Sequence, residues 1–272
     1  MAMKPDPQVA SYYANAAEED RLTQGAAILE EARTRELIRR HAPPIPAIVL
    51  DVGGGAGAYS FWLADLGYTV HLVDAAPRLV AEAQRRCGGK TRLESYAIGD
   101  ARALDVGDRL ADVVLLLGPL YHLTEASDRA AALAEAKRVL KPGGWVFGAV
   151  ISRFASALDG LSRDLFHDPR FWPIVRRDLA EGQHRNPTER IDYFTTAYFH
   201  RPDEAVREFG AAGFTAPVVY GIEGPGWLLA DVGERMNDPR HRADLLDVAR
   251  ALERDSSILG VSAHLLVVAQ RP

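Results

Sequence analysis

The sequence predicts an α/β fold, a mostly parallel sheet with helices packed on both faces. Three observations carry that expectation. Short apolar runs alternate with helical stretches from residue 47 onward. Runs such as 112–117 are apolar at successive positions rather than at every second one. A glycine cluster, Gly53-Gly54-Gly55-Ala56-Gly57, follows the first run directly. Parallel strands covered on both faces read as unbroken apolar runs, whereas a sheet with one wet face alternates.

The elements follow in order. From Val9 to His41 the pattern is helical, with Leu22, Ala26, Leu29, Ala32 and Leu37 spaced by three to five residues between charges. Pro43, Pro44 and Pro46 stop it. Residues 47–52 form a first strand, 59–66 a helix and 69–73 a second strand, which makes one βαβ unit. A helix near 78–86, a short strand near 92–97 and the strand 112–117 continue the alternation. Residues 126–140 read as a helix ended by Lys141-Pro142-Gly143-Gly144, and 145–151 as a fifth strand. Between 152 and 200 the pattern dissolves into aromatic and charged residues mixed with prolines, more than a crossover needs, and reads as an insertion facing substrate. A helix at 202–212, a strand at 217–222, a helix at 240–252 and a strand at 263–270 complete the chain, the last two strands suiting an antiparallel pair. The expected organisation is a helical lid at 1–46 and a second unit at 47–272 that carries the insertion at about 152–200.

Composition excludes several classes. With 272 residues, 47% hydrophobic and 25% charged, the chain is an ordinary globular protein. A formal charge of −5 gives no basic excess for a phosphate backbone, so nucleic acid is not an expected partner. The single Cys87 allows no internal disulfide. The first residues lack an apolar signal core and no run reaches the ~18 apolar residues of a membrane span, so a cytoplasmic protein without membrane attachment is expected. The expected partner is a small-molecule acceptor, with a homodimer possible. No histidine and carboxylate grouping has metal-ligand spacing, and no metal is expected.

The glycine loop sits where helix amides and bare backbone face a ligand. On its own it also fits a dinucleotide, because Gly53, Gly55 and Ala58 satisfy the relaxed pattern. Asp74 closes the second strand and suits the two hydroxyls of an adenosine ribose in either case. Asp51, just before the glycines, separates the alternatives: a carboxylate there repels a pyrophosphate and attracts the ammonium of an amino-acid ligand. Asp100, after the third strand, is placed to take an exocyclic amine of adenine.

The series Val49-Leu50-Asp51-Val52-Gly53-Gly54-Gly55-Ala56-Gly57, Asp74, Gly99-Asp100-Ala101, 111–118 and Arg138-Val139-Leu140-Lys141-Pro142-Gly143-Gly144 resembles the motif series of class I S-adenosylmethionine-dependent methyltransferases across residues 47–151. The resemblance implies a Rossmann-like three-layer sandwich whose seven-stranded sheet is mostly parallel with an antiparallel last strand. It implies S-adenosylmethionine as cofactor, S-adenosylhomocysteine as product, and contacts from Asp51, Gly53, Gly55 and Gly57 to the methionine part. Asp74 and Ala75 would serve the ribose, Asp100 and Ala101 the adenine, with Leu117 beside them. The amino-terminal Tyr13 and Arg21 resemble the lid residues of small-molecule members that reach the cofactor carboxylate.

Methyl transfer from a sulfonium needs an aligned nucleophile more than it needs a base. The segment Gly118-Pro119-Leu120-Tyr121-His122 lies beyond a strand's carboxyl end, where ligands gather in open α/β sheets. His122 is the candidate general base, or else a residue that orients substrate. Tyr121 would line the pocket, and Tyr198 and His200, from an aromatic cluster with Tyr193, Phe194 and Phe199, would bind an O or N (or C) acceptor. Glycine at 118 offers no side-chain acceptor for an amino group, which disfavours nucleobase and protein-amide substrates. NAD-dependent oxidoreduction and a non-catalytic cofactor-binding regulator are the alternatives.

Overall fold

The computed structural model describes residues 7–15, 22–87, 92–188 and 190–272. Helices α1 (Pro7–Asn15) and α2 (Ala27–His41) precede the alternating part. The continuous helical pattern expected from Val9 to His41 is corrected here, because Gly25 has φ +56° and residues 22–26 are not α-helical. Backbone in the left-handed region cannot continue a right-handed helix. Next come β1 (Ile48–Val52), α3 (Ala58–Asp65), β2 (Thr69–Asp74), α4 (Pro77–Arg86), β3 (Ser95–Ile98), β4 (Ala111–Leu116), α5 (Pro119–His122), α6 (Ala126–Val139) and β5 (Leu140–Ser152). The insertion holds α7 (Ala155–Ser162), α8 (Phe171–Glu181), β6 (Gln183–His184) and β7 (Ala197–His200). The chain then runs through α9 (Pro202–Ala211), β8 (Thr215–Gly221), α10 (Val232–Asn237), α11 (Pro239–Leu252) and β9 (His264–Gln270).

Strands β3, β2, β1, β4 and β5 pair in that order, each parallel to the next. Strand β9 runs antiparallel between β5 and β8. These are the seven strands expected, with the last one reversed. The insertion adds two more: Ile151 and Ser152 at the end of β5 pair with Phe199 and His200 of β7, and β6 pairs with β7. Ile151 already pairs with His264 of β9 on one edge. Strand β7 therefore occupies the other edge, beyond the point where β4 stops pairing at Leu116 and Gly148. That places the insertion directly above the carboxyl end of β4.

Both faces of the sheet are buried. Along β4, Val114 and Leu116 join the side packed by Leu133 of α6 and Phe209 of α9. Val113 and Leu115 join the side packed by Leu37 of α2, Leu63 of α3 and Val80 of α4. Successive residues serve opposite layers, which is why the run is apolar throughout. Helix α2 is tied in by Arg33, fully buried, whose guanidinium pairs with Glu253 after α11. Among the described residues no helix is long and apolar enough to cross a membrane.

The insertion has a small core of its own around Leu165, Phe171, Ile174, Val175 and Tyr193. His184 is buried within it: Nε2 lies 2.8 Å from the Tyr193 carbonyl oxygen and Nδ1 lies 2.9 Å from Asp178 Oδ2. A carbonyl only accepts, so Nε2 carries a proton, and the remaining nitrogen faces a carboxylate. This pair pins β6 to α8.

Candidate active site

The glycine loop is shaped by its own hydrogen bonds. Gly53 and Gly54 donate their amides to the Val73 carbonyl at 2.7 and 3.3 Å, and Gly57 donates to Gly54 at 2.9 Å. Gly55 donates to Asp74 Oδ2 at 2.8 Å, while Ala76 donates to Oδ1 at 2.8 Å. Gly53, Gly55 and Gly57 have φ of +75°, +56° and +89°, which side chains rarely adopt. The amides of a phosphate-binding loop point outward at the anion. Here those of Gly53, Gly54, Gly55 and Gly57 are spent inside the protein, one of them on a carboxylate. The loop suits a ligand that brings positive charge rather than a pyrophosphate.

Two acids lie close behind it. Asp51 is buried beneath the loop, where Ser60 donates to its Oδ2 at 2.6 Å and a Cβ on Gly54 would come within 2.9 Å of the same oxygen. Burial, with the Asp74 carboxylate nearby, pushes the Asp51 carboxyl up to about 6. Burial also raises Asp74, against the two amides that favour its charged form. Both groups would gain from a cation beside them. Asp100 differs: burial works against its charge, but Arg102 binds both its oxygens, at 2.9 and 2.7 Å, and holds its carboxyl below the ordinary value. Ala75 is exposed, Ala101 buried and Leu117 half-buried.

The loop touches the candidate chemical group through α5. A Cβ on Gly53 would stand 2.5 Å from Pro119 Cδ, so loop and α5 pack without room between them. Three residues along α5, His122 has its Nδ1 3.3 Å from the Thr196 carbonyl oxygen and its Nε2 2.7 Å from the Tyr13 hydroxyl. The carbonyl must accept from Nδ1–H, which leaves Nε2 with a lone pair that accepts the Tyr13 proton. Tyr13 comes from α1, whose backbone is held at the other side: Arg78 of α4 donates to the Tyr13 carbonyl at 2.9 Å. Helix α1 thus spans from α4, just after Asp74, to the insertion. Arg21, the other residue expected from this region, lies outside the described residues.

Beside this dyad is a cavity of about 280 Å³ between α1, α7, the insertion and the start of β9. Tyr12, Tyr13, Tyr121 and Phe194 form one wall. Trp227 and His264 form another, from the glycine-rich turn after β8 and the entrance to β9. Tyr198 and His200, both expected to bind substrate, are not brought here. His200 is fully buried and its Nε2 lies 3.2 Å from Glu208, a carboxyl that burial alone would raise but that His200 and Arg129 hold down at about 2. The Tyr198 ring lies 3.9 Å under the Arg129 guanidinium. Register explains the miss: β7 turns Phe199 toward the cavity, and its neighbours on the strand face the other way.

His184, Asp159 and Asp192 line the cavity without having been singled out in the sequence. Nothing in the spacing of an irregular insertion tells which residues face inward. No metal was expected, yet Glu30, Glu223 and His264 gather with ligand atoms within 4.8 Å of one another, a set that suits a divalent cation. They come from α2, the turn after β8 and β9, a distance no sequence spacing records. Glu223 also accepts from Ser262 Oγ at 2.6 Å, and its other oxygen lies 2.6 Å from His264 Nδ1.

Residues 50–148 match the family model described as a methyltransferase domain. The chain is 34% identical over 126 residues to a ubiquinone/menaquinone biosynthesis C-methyltransferase of Acidiphilium cryptum, covering 45% of this chain and 49% of that one. It is 31% identical over 179 residues to a ubiquinone biosynthesis O-methyltransferase of Azorhizobium caulinodans, covering 64% and 61%. The chain thus spans about half the length of such curated relatives. Among solved structures it is similar to an S-adenosylmethionine-dependent methyltransferase of Mesorhizobium loti, with a TM-score of 0.60, 18% identity and coverage of 89% and 100%. That last likeness is one of fold.

Proposed function

We propose that this chain, whose residues 50–148 match a methyltransferase domain, is a class I S-adenosylmethionine-dependent methyltransferase that transfers a methyl group to a small-molecule nucleophile held in the cavity beneath α1. The observation that carries the proposal is the direct packing of the glycine loop on α5, the helix that presents His122 and its partner Tyr13. Cofactor loop, proton-accepting dyad and cavity are one continuous construction.

The loop fits this cofactor by its charges. Asp51 and Asp74 would face the amino-acid and ribose ends, and the amides of Gly53, Gly54, Gly55 and Gly57 are already bonded within the protein, which supports this reading over NAD. Gly53, Gly55, Gly57 and Asp51 would hold the methionine part, Asp74 and Ala75 the ribose, and Asp100, Ala101 and Leu117 the adenine. Bound S-adenosylmethionine supplies a sulfonium methyl: the acceptor's lone pair forms the new bond to carbon as the carbon–sulfur pair leaves with a neutral thioether. The chain's own residues do the rest. Tyr13 lines the cavity, and its Oη would accept the proton that an O–H or N–H nucleophile loses while its own proton passes to His122 Nε2. The Thr196 carbonyl stabilises the imidazolium that results. Helix α1, anchored at Arg78 and at Thr196 through Gln8, covers the site and excludes water, a lid in function.

Incubation with S-adenosylmethionine carrying a deuterated methyl group and a panel of amines, phenols and quinols, read by mass spectrometry, tests the reading. A labelled acceptor is the expected result. Binding of the cofactor with no labelled product across the panel would favour a non-catalytic regulator.

A further inference from the structure

The walls of the 280 Å³ cavity restrict what it accepts. Among the described residues that line it there is no lysine or arginine, while Asp159 and Asp192 are both present. A carboxylate or phosphate acceptor would meet no cation in the lining itself, because the nearby arginines, Arg163 and Arg190, are already paired with these acids. The two histidines do not supply one. His264 stands between Glu223 at 2.6 Å and Glu30 at 3.8 Å, and His184 faces Asp178 at 2.9 Å, so any positive charge on either ring is already matched.

The acids are not equivalent. Asp192 is matched by Arg190 at 2.7 Å and lies 3.6 Å from Arg163. Among the described residues Asp159 pairs with Arg163, at 3.0 Å through Oδ2, and that arginine side chain is 46% exposed to solvent and shared with Asp192. Burial raises the Asp159 carboxyl against the pull of Arg163, so a further cation on the cavity side would be favourable.

The rings complete the environment. Tyr12 meets Tyr13 edge-to-face at 5.4 Å and 87°, and Phe194 at 5.5 Å and 73°. Tyr121 lies 6.4 Å from Phe194 at 53°. Rings set at such angles surround a space with π-faces and edges rather than stacking it shut. Trp227 donates its indole N–H to the Val261 carbonyl at 2.8 Å, so what it offers to the cavity is its ring. Aromatic faces with a nearby carboxylate and no fixed cation bind organic ammonium groups.

Resting on the methyltransferase reading above, we propose that the acceptor is a small cationic amine, a primary to tertiary ammonium, seated among Tyr12, Tyr121, Phe194 and Trp227 and facing Asp159. Before it can react the ammonium sheds one proton to Tyr13 and so to His122, and its nitrogen regains the lone pair that takes the methyl group. A quaternary ammonium has no proton to shed and binds without turnover.

Three probes of nearly equal shape separate the possibilities: choline, the uncharged 3,3-dimethylbutan-1-ol and the anionic 3,3-dimethylbutanoate. Each is titrated calorimetrically into the full chain, with and without saturating S-adenosylhomocysteine. Choline is expected to bind ~10-fold or more tightly than the alcohol, and the anion not measurably. Asp159→Asn should cut the preference for choline ~5-fold or more while binding of S-adenosylhomocysteine is unchanged. Phe194→Leu should weaken choline more than the alcohol, and it serves if the Asn variant does not fold. Equal or tighter binding of the alcohol or the anion overturns the proposal, and so does no binding of choline. Because the titrations without S-adenosylhomocysteine stand alone, failure of that nucleoside to bind would count against the methyltransferase reading and not against the cation preference.

Discussion

The Tyr13 hydroxyl lies 2.7 Å from His122 Nε2 although the two residues are 109 positions apart. The contact joins α1 to α5, the short helix that follows β4, and it fixes the histidine tautomer together with the Thr196 carbonyl. If the pair relays the acceptor's proton, Tyr13→Phe and His122→Asn should each lower kcat by ~100-fold or more. Affinity of His122→Asn for S-adenosylhomocysteine should stay within about 3-fold of the parent, because that side chain is not expected to touch the cofactor. Steady-state kinetics beside calorimetry checks both values. A kcat within a few fold of the parent in both variants would remove the relay. The double variant should be little worse than either single one, since residues that act as a unit are not additive.

Asp51 gives a pH signature in stability. Its carboxyl titrates at about 6 in the folded chain against an ordinary value of 3.8. The folded state therefore keeps a proton that the unfolded state releases, and this group's contribution to stability is lost as pH rises from about 4 to about 6. In Asp51→Asn that loss is absent. Urea denaturation of the ligand-free proteins should show the variant gaining on the parent across this window and holding a constant difference above it. A difference that does not vary with pH would contradict the assignment.

Arg33 and Glu253 couple α2 to the connection between β8 and β9. Arg33 has no exposed surface, and replacing it leaves Glu253 less compensated in a buried place. Arg33→Met should cost about 3–5 kcal/mol, softened by Arg40, which also pairs with Glu253. Thermal unfolding measures the loss. Kinetics at a temperature where the variant stays folded should be nearly unchanged, because Arg33 itself does not line the cavity.

Much of this architecture was legible in the residues. The run Ala111–Leu116 announces a strand covered on both faces, because Val113 and Val114 serve different layers of the sandwich. The glycine loop and the acids at the ends of β1 and β2 stand at short, fixed spacings, and the structure brings Gly55 onto Asp74. The substrate side was less legible. Tyr198 and Phe199 are neighbours of similar character, and only the pairing of β7 with β5 decides that Phe199 reaches the cavity. His184 and Asp159 belong to an insertion with no periodic pattern, so nothing in their spacing marks them. The helix expected to run from Val9 to His41 does not continue through residues 22–26, where Gly25 has φ +56°, a conformation that no spacing of apolar residues records.

The most direct test of the central claim is a calorimetric titration of the parent and Asp74→Asn with S-adenosylmethionine, S-adenosylhomocysteine and NAD. Asp74 accepts from Gly55 and Ala76 and has oxygen lone pairs to spare for a ribose, so losing its charge should weaken both sulfur nucleosides ~10- to 100-fold. The expected result is tight binding of both to the parent, that loss in the variant, and no heat with NAD. Binding of NAD alone, or sulfur nucleosides that bind parent and variant equally, would contradict the account.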